Sequence, residues 1–154
     1  MSRFLADTNL LLRLSDAAAT LHPIAAQSLA VLFGRGDEVF ITAQNLIEFW
    51  AVATRPLEAN GFGWDTQRTQ GEIAGFRQRF PFLPDTAQVF ESWLQVVVSS
   101  SVSGKRAHDA RLAAVALAYS LDGILTFNTA DFLSFSGIHT VDPRSLIGRP
   151  KTGT

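Results

Sequence analysis

The sequence predicts an α/β protein, a three-layer α/β/α sandwich on a short-stranded parallel central sheet, and three observations carry that reading. Apolar runs of β character, each too short for a helix, recur between longer stretches with helical periodicity. The helical stretches outnumber the runs, so helices are available to cover both faces of a sheet. The alternation demands crossover connections, and these set consecutive strands parallel.

In chain order, Arg3 to Ala6 is the first strand, with Asp7 directly after it. Helical segments at Thr8 to Leu14 and Ile24 to Phe33 lead to a second strand, Val39 to Thr42. Thr42 is placed to cap a helix over Ala43 to Arg55, which Pro56 must end because the residue before a proline is driven out of the helical region. A helix over Thr66 to Arg79 stops ahead of Pro81 in the same way, and another spans Thr86 to Val98. Ser99 to Gly104 reads as a loop, Ala107 to Leu121 as an Ala-rich helix, and Gly123 to Phe127 and Ile138 to Val141 as the remaining strands. One domain over residues 1–148 and a flexible tail over 149–154 are expected. A chain of 154 residues that is 47% apolar can bury a sufficient core without disulfides. It has no cysteine, which fits a reducing cytoplasm, and the charged start from Met1 to Asp7 is neither a signal peptide nor a membrane span. A soluble cytoplasmic protein is therefore expected.

The formal charge of −1 conceals a bias. Setting aside the four acids discussed next leaves ten acidic groups against 13 basic ones, and eleven of those bases are Arg, which suits bidentate phosphate contact. Arg77, Arg79, Arg106 and Arg111 fall in segments that can border a site. This is compatible with a nucleic-acid partner, the plainer reading being a solvated surface. Phe76, Phe80 and Phe82, interleaved with Arg77 and Arg79, offer base stacking, although Phe at helical spacing is more often core.

Asp7, Glu48, Asp109 and Asp131 stand where a metal site needs them. Glu48 lies in Leu46-Ile47-Glu48-Phe49-Trp50, a setting in which a carboxylate needs a cationic partner or must stay protonated. No set of His or Cys supplies nitrogen or sulfur ligands, so the acids point to an oxygen-liganded hard cation, Mg²⁺ or Mn²⁺ rather than zinc. Parallel topology brings Asp7 and Asp131 to the carboxyl edge of the sheet, where open parallel sheets bind ligands. Asp109, in the first turn of a helix, and Glu48, in the second turn after Thr42, can project towards the same rim. Each acid also has a plainer role: a cap for Asp7, a complement to the helix dipole for Asp109, an Asx-turn for Asp131 and a solvated face for Glu48. All four coincidences would have to hold together.

Asp7-Thr8-Asn9 after an N-terminal strand, a helical Glu48, His108-Asp109-Ala110 opening an Ala-rich helix, and Thr126-x-Asn128-x-x-Asp131-Phe132 resemble the PIN-domain nucleases, specifically the VapC-type toxins of bacterial toxin–antitoxin pairs. The resemblance runs from about Phe4 to about Val141. It implies a PIN-like sandwich, a metal-dependent endoribonuclease acting on RNA, a cognate antitoxin and a homodimer. It also implies Asp7, Glu48, Asp109 and Asp131 as the catalytic quartet and the ligands of Mg²⁺ or Mn²⁺. Thr126 and Asn128 match polar positions beside the metal, and Asn9, with Thr126, is placed to orient the carboxylates. Asn128 stands where some relatives carry another acid, which leaves Asp131 to supply the carboxylate of that motif. Arg106 and Arg111 are the candidate substrate contacts. The stretch from Glu58 to Phe82 matches no feature of the family and is the candidate for shaping substrate choice.

Phosphodiester hydrolysis needs an activated water, neutralised phosphate charge and help for the leaving oxygen, all of which carboxylate-bound Mg²⁺ can supply. No nucleophilic side chain is implied. His108 points about 100° away from Asp109 on a helix and reads as structural. The Asp-x-Asp of haloacid-dehalogenase phosphatases is not met, because Asn9 replaces the second acid. The competing class is a non-catalytic PIN-like module that keeps its acids and binds RNA or a protein.

Overall fold

Five strands, β1 (Arg3–Ala6), β2 (Glu38–Thr42), β3 (Phe82–Leu83), β4 (Gly123–Leu125) and β5 (Thr140–Val141), form one sheet in the order β3-β2-β1-β4-β5. Every neighbouring pair is parallel. The computed structural model describes residues 1–148, so the tail expected at 149–154 lies outside the described residues. Six α-helices connect the strands: α1 (Thr8–Ser15), α2 (His22–Gly34), α3 (Ala43–Thr54), α4 (Thr66–Arg79), α5 (Ala87–Ser99) and α6 (Arg106–Ala118). Short 3₁₀ turns lie at Leu57–Ala59, Thr129–Phe132 and Pro143–Leu146.

Side chains of each central strand alternate between two cores, as a sheet covered on both faces requires. Phe4, Ala6, Val39, Ile41 and Leu125 face the core with α1, α2, α3 and α4. Leu5, Phe40 and Ile124 face the other, with α5 and α6. Phe49, fully buried, meets Phe62, Trp64 and Phe76 edge-on, which fastens α3 to α4 and to the segment between them. Phe76 and Phe80 are 1% exposed and belong to this core, so the basic and aromatic interleaving at 76–82 is mainly packing. Of the three phenylalanines Phe82 alone is exposed, on β3, as are Arg77 and Arg79 at the end of α4.

Both proline stops are real: Arg55 and Phe80 take extended backbone ahead of Pro56 and Pro81 and end α3 and α4. β3, two residues long, is not among the expected strands; it pairs Ile41 with Phe82 and Thr42 with Leu83. β4 is shorter than expected, because beyond Leu125 the Phe127 N–H donates to the Asn9 side chain at 3.4 Å instead of continuing the ladder.

The chain leaves β1 for β2 on one side of the sheet and returns to β4 on the other. At the carboxyl ends of β1 and β4 the connections therefore diverge and leave a crevice. Asp7 follows β1 and Thr126 follows β4, so both stand at its mouth.

Candidate functional site

Asp7 is half-buried at the start of α1, with its backbone N–H donating to the Leu125 carbonyl at 2.9 Å. Its Oδ2 accepts the Thr126 hydroxyl at 2.8 Å and the Asn9 amide at 3.3 Å. The carboxylate makes no helix-capping bond, so the plain reading of Asp7 as a cap does not hold. Thr126, wholly buried, also accepts from Asn9 Nδ2 at 3.3 Å and from the Asn128 backbone N–H at 2.9 Å. Asn9 and Thr126 thus both contact the Asp7 carboxylate and each other. Asn128 reaches this network through its backbone, and its side chain is exposed.

Glu48 sits on α3, half-buried, but not in the apolar surroundings its sequence neighbours suggested. Ile47 is 66% exposed and Trp50 37%; only Phe49 turns inward, because successive residues on a helix point about 100° apart. What holds Glu48 is Gln44, one turn earlier. Gln44 Nε2 donates to Glu48 Oε1 at 2.6 Å and to the His108 carbonyl at 2.8 Å, tying the acid of α3 to the first turn of α6. Asp109 lies in that turn, half-buried. Gln44 is buried and its Oε1 has no hydrogen-bond partner among the described residues. Turning the amide over would set that oxygen against two acceptors, so the orientation is fixed. Asn45 ties α3 instead to the end of β1: its Nδ2 donates to the Ala6 carbonyl at 2.9 Å, and its Oδ1 accepts the Thr42 N–H at 2.8 Å at the head of α3. Gln44 and Asn45 were not picked out from the sequence, where amides on a helix carry no distinguishing pattern.

The acids act on one another through their charges. Burial, and then the charges of Glu48 and Asp109, push the Asp7 carboxyl up from 3.8 to about 6 against the opposing pull of its Thr126 and Thr8 hydrogen bonds. Asp109 is raised as well, by burial and by the charges of Asp131 and Glu48, with Arg106 and His108 opposing. Asp7, Glu48 and Asp109 therefore share one field, and Asp131, exposed on the turn Thr129–Phe132, adjoins it through Asp109. Arg106 is near enough to act on Asp109 and hydrogen-bonds Ser134. Arg111 is not brought to the acids: it is ion-paired with Asp85 at a separate, largely apolar hollow of about 310 Å³ beside Trp93.

Among the described residues, no three His, Asp or Glu side chains stand close enough together to hold a metal ion as they are placed. The donor chemistry nevertheless suits a hard cation. All the acids offer oxygen donors, two of them, Asp7 and Asp109, are raised by burial and then by the charges of neighbouring acids, and a divalent ion would relieve that repulsion.

The solved structures of similar fold include DNA-bound VapBC from Salmonella typhimurium, at 20% identity and a TM-score of 0.70, covering 93% of this chain and 99% of that one. VapBC2 from Rickettsia felis, bound to a DNA fragment from its promoter, matches at 14% identity and a TM-score of 0.70, over 90% and 97% of the two chains. FitAcB from Neisseria gonorrhoeae matches at 19% identity and a TM-score of 0.65, over 91% and 97%. At such identities the likeness is one of fold. No curated protein matches the sequence. The sequence profile of the PIN domain matches residues 4–136, a span that contains β1 with Asp7, α3 with Glu48, α6 with Asp109 and the turn with Asp131, and the chain belongs to the PIN domain family.

Proposed function

We propose that the protein is a Mg²⁺- or Mn²⁺-dependent endoribonuclease, the VapC-type toxin of a toxin–antitoxin pair. PIN domains are in general nucleases. The observation that supports the finer reading most is the gathering of Asp7, Glu48 and Asp109 at the divergence of β1 and β4, where burial, and then the charges of the other two acids, raise Asp7 to about 6. A cluster of that charge repels a phosphodiester unless a cation lies between them.

Asp7, Asp109, Glu48 and Asp131 are the residues that would hold the ion. When bound, a divalent ion supplies charge neutralisation on the attacked phosphate and lowers the pKa of a coordinated water. The protein's own part is positional. Thr126 and Asn9 fix the rotamer of Asp7 by both donating to its Oδ2. Gln44 fixes Glu48 relative to the first turn of α6, and so to Asp109. Arg106 stands beside Asp109, where a substrate phosphate would arrive.

The same reading gives the protein a cognate antitoxin that covers the acids, a place in the cytoplasm with its RNA substrate, and a homodimer. Similar folds in VapBC and FitAB complexes support the antitoxin. Phe90, Leu94 and Val98, exposed in a row along α5, support self-association. Among the described residues no helix is long and apolar enough to cross a membrane.

Cleavage of a mixed RNA pool by purified protein tests the reading, with Mg²⁺ or with EDTA and with Asp109→Asn as control. Cleavage that needs both the ion and Asp109 is expected. Intact RNA bound tightly under all conditions would leave the non-catalytic binding module as the function.

A further inference from the structure

Two depressions of about 200 and 470 Å³ share Arg13, Asp16, Asn60 and Phe62 and so make one furrow. It begins at Asn9, whose amide holds Asp7, and ends at Trp64 and Arg68. Its larger part falls within the roughly 300–1,000 Å³ of ordinary ligand sites.

One wall is the segment from Pro56 to Trp64, which runs into the stretch from Glu58 to Phe82 singled out as the candidate for shaping substrate choice, and it is rigid. Phe62, Gly63 and Trp64 donate backbone N–H bonds to the carbonyls of Val52, Arg55 and Ala53 at the end of α3, at 3.1, 2.8 and 2.9 Å. Asn60 and Gly63 adopt positive φ, 63° and 66°, to turn the chain back. Gly61 is packed so tightly that a Cβ there would lie 2.0 Å from the Arg55 carbonyl oxygen. The wall is thus preformed, which spares a ligand the cost of ordering it.

The furrow's chemistry is that of single-stranded nucleic acid. The Arg68 guanidinium lies 4.1 Å over the Trp64 ring, and Trp64 is anchored to the core through Phe62 and Phe49. Arg68 is exposed, so its planar group offers a stacking surface backed by an aromatic ring. Arg13, also exposed, lies one helical turn beyond Asn9, about 6 Å along α1. Neither Arg13 nor Arg68 has an ion pair among the described residues. A basic segment drawn to the acids would have to pass these two unpaired cations, against which the furrow's lining sets one acid, Asp16, whereas a polyanion is attracted by both cations. Paired bases in a duplex could not reach the stacking surface.

We propose that this furrow is a subsite for the single-stranded RNA beside the cut, in which Arg13 takes a backbone phosphate and the Arg68–Trp64 pair stacks a base. It rests on the ribonuclease reading and deepens it. Arg68→Lys keeps the charge and loses the planar surface; Arg13→Gln loses the charge alone.

Fluorescence anisotropy with a labelled single-stranded RNA oligonucleotide, in an Asp7→Asn background that prevents cleavage, tests both. Arg68→Lys is expected to weaken binding roughly five- to hundredfold, the range a stacked base contributes, and to have no effect on an abasic oligonucleotide. Arg13→Gln is expected to reduce the slope of log affinity against log salt by about 0.7. RNA affinity unchanged in both variants overturns the subsite, as does an unchanged RNA affinity together with weakened binding of a basic peptide. Cleavage of the RNA pool by otherwise wild-type protein is measured alongside. Cutting that persists at full rate in both variants refutes the subsite alone, and wild-type protein that does not cut refutes the reading beneath it.

Discussion

Replacing Asp7 with Asn should stabilise the metal-free protein above pH 6, although it removes a residue central to the site. Burial and the neighbouring acids raise the Asp7 carboxyl from 3.8 to about 6, so the folded state binds this proton more tightly than the unfolded chain does. Between those two values the native state carries more protons, and stability falls as pH rises through that window. Below about pH 4 both states are protonated and the burden is absent; above about pH 6 to 7 it is fully present. A shift of that size corresponds to about 3 kcal/mol at most. Asn keeps an oxygen to accept the Thr126 hydroxyl and carries no charge. In EDTA at pH 7.5, Asp7→Asn should therefore unfold later than wild type by about 1–3 kcal/mol, or several degrees in Tm for a chain of this length. The gap should close at pH 4, and millimolar Mn²⁺ should raise the wild type while leaving the variant nearly unchanged. Denaturant unfolding with and without EDTA at the two pH values measures all of this. A variant less stable than wild type at pH 7.5, with a wild type indifferent to Mn²⁺, would mean that the carboxylate holds the structure together rather than an ion.

Other consequences are equally specific. Thr126→Val removes a hydrogen bond that holds the Asp7 carboxyl down, so Asp7 should titrate still higher, seen by NMR of its carboxyl carbon, and stability at pH 7.5 should drop by about 1–3 kcal/mol. Gln44→Leu frees Glu48 from α6 and also removes a buried oxygen without a partner. It should weaken Mn²⁺ binding about 10–100-fold, as loss of an orienting neighbour does, with little change in unfolding free energy. Gly61→Ala places a methyl against the Arg55 carbonyl and should displace the wall of the furrow, costing about 1–3 kcal/mol in urea unfolding.

Much of the architecture was legible because periodicity and punctuation agreed. Alternating apolar residues in Phe4 to Ala6 and Val39 to Ile41 mark strands buried on both faces, and Pro56 and Pro81 stop two helices. β3 was not legible: two residues carry no period, and Phe82 and Leu83 become a strand only because β2 lies alongside. Asp7 could be placed from its strand alone, since parallel topology sends every strand end to one rim. Glu48 was singled out on a mistaken ground, because a run of apolar neighbours in sequence does not share a face on a helix, and Ile47 and Trp50 turn to solvent. Gln44 and the Arg68–Trp64 stack were invisible for a related reason: each gains its role from a partner far along the chain or from backbone turns at Asn60 and Gly63.

On the proposed function, acids from four separate segments together bind divalent metal. Titration of Mn²⁺ into the purified protein, followed by the loss of the free-ion EPR signal, tests it most directly when wild type is compared with Asp7→Asn and Asp109→Asn. Saturable binding by wild type, weakened tenfold or more in each variant, is the predicted result. Wild type that leaves the Mn²⁺ signal untouched, or variants that bind as well as wild type, would contradict it.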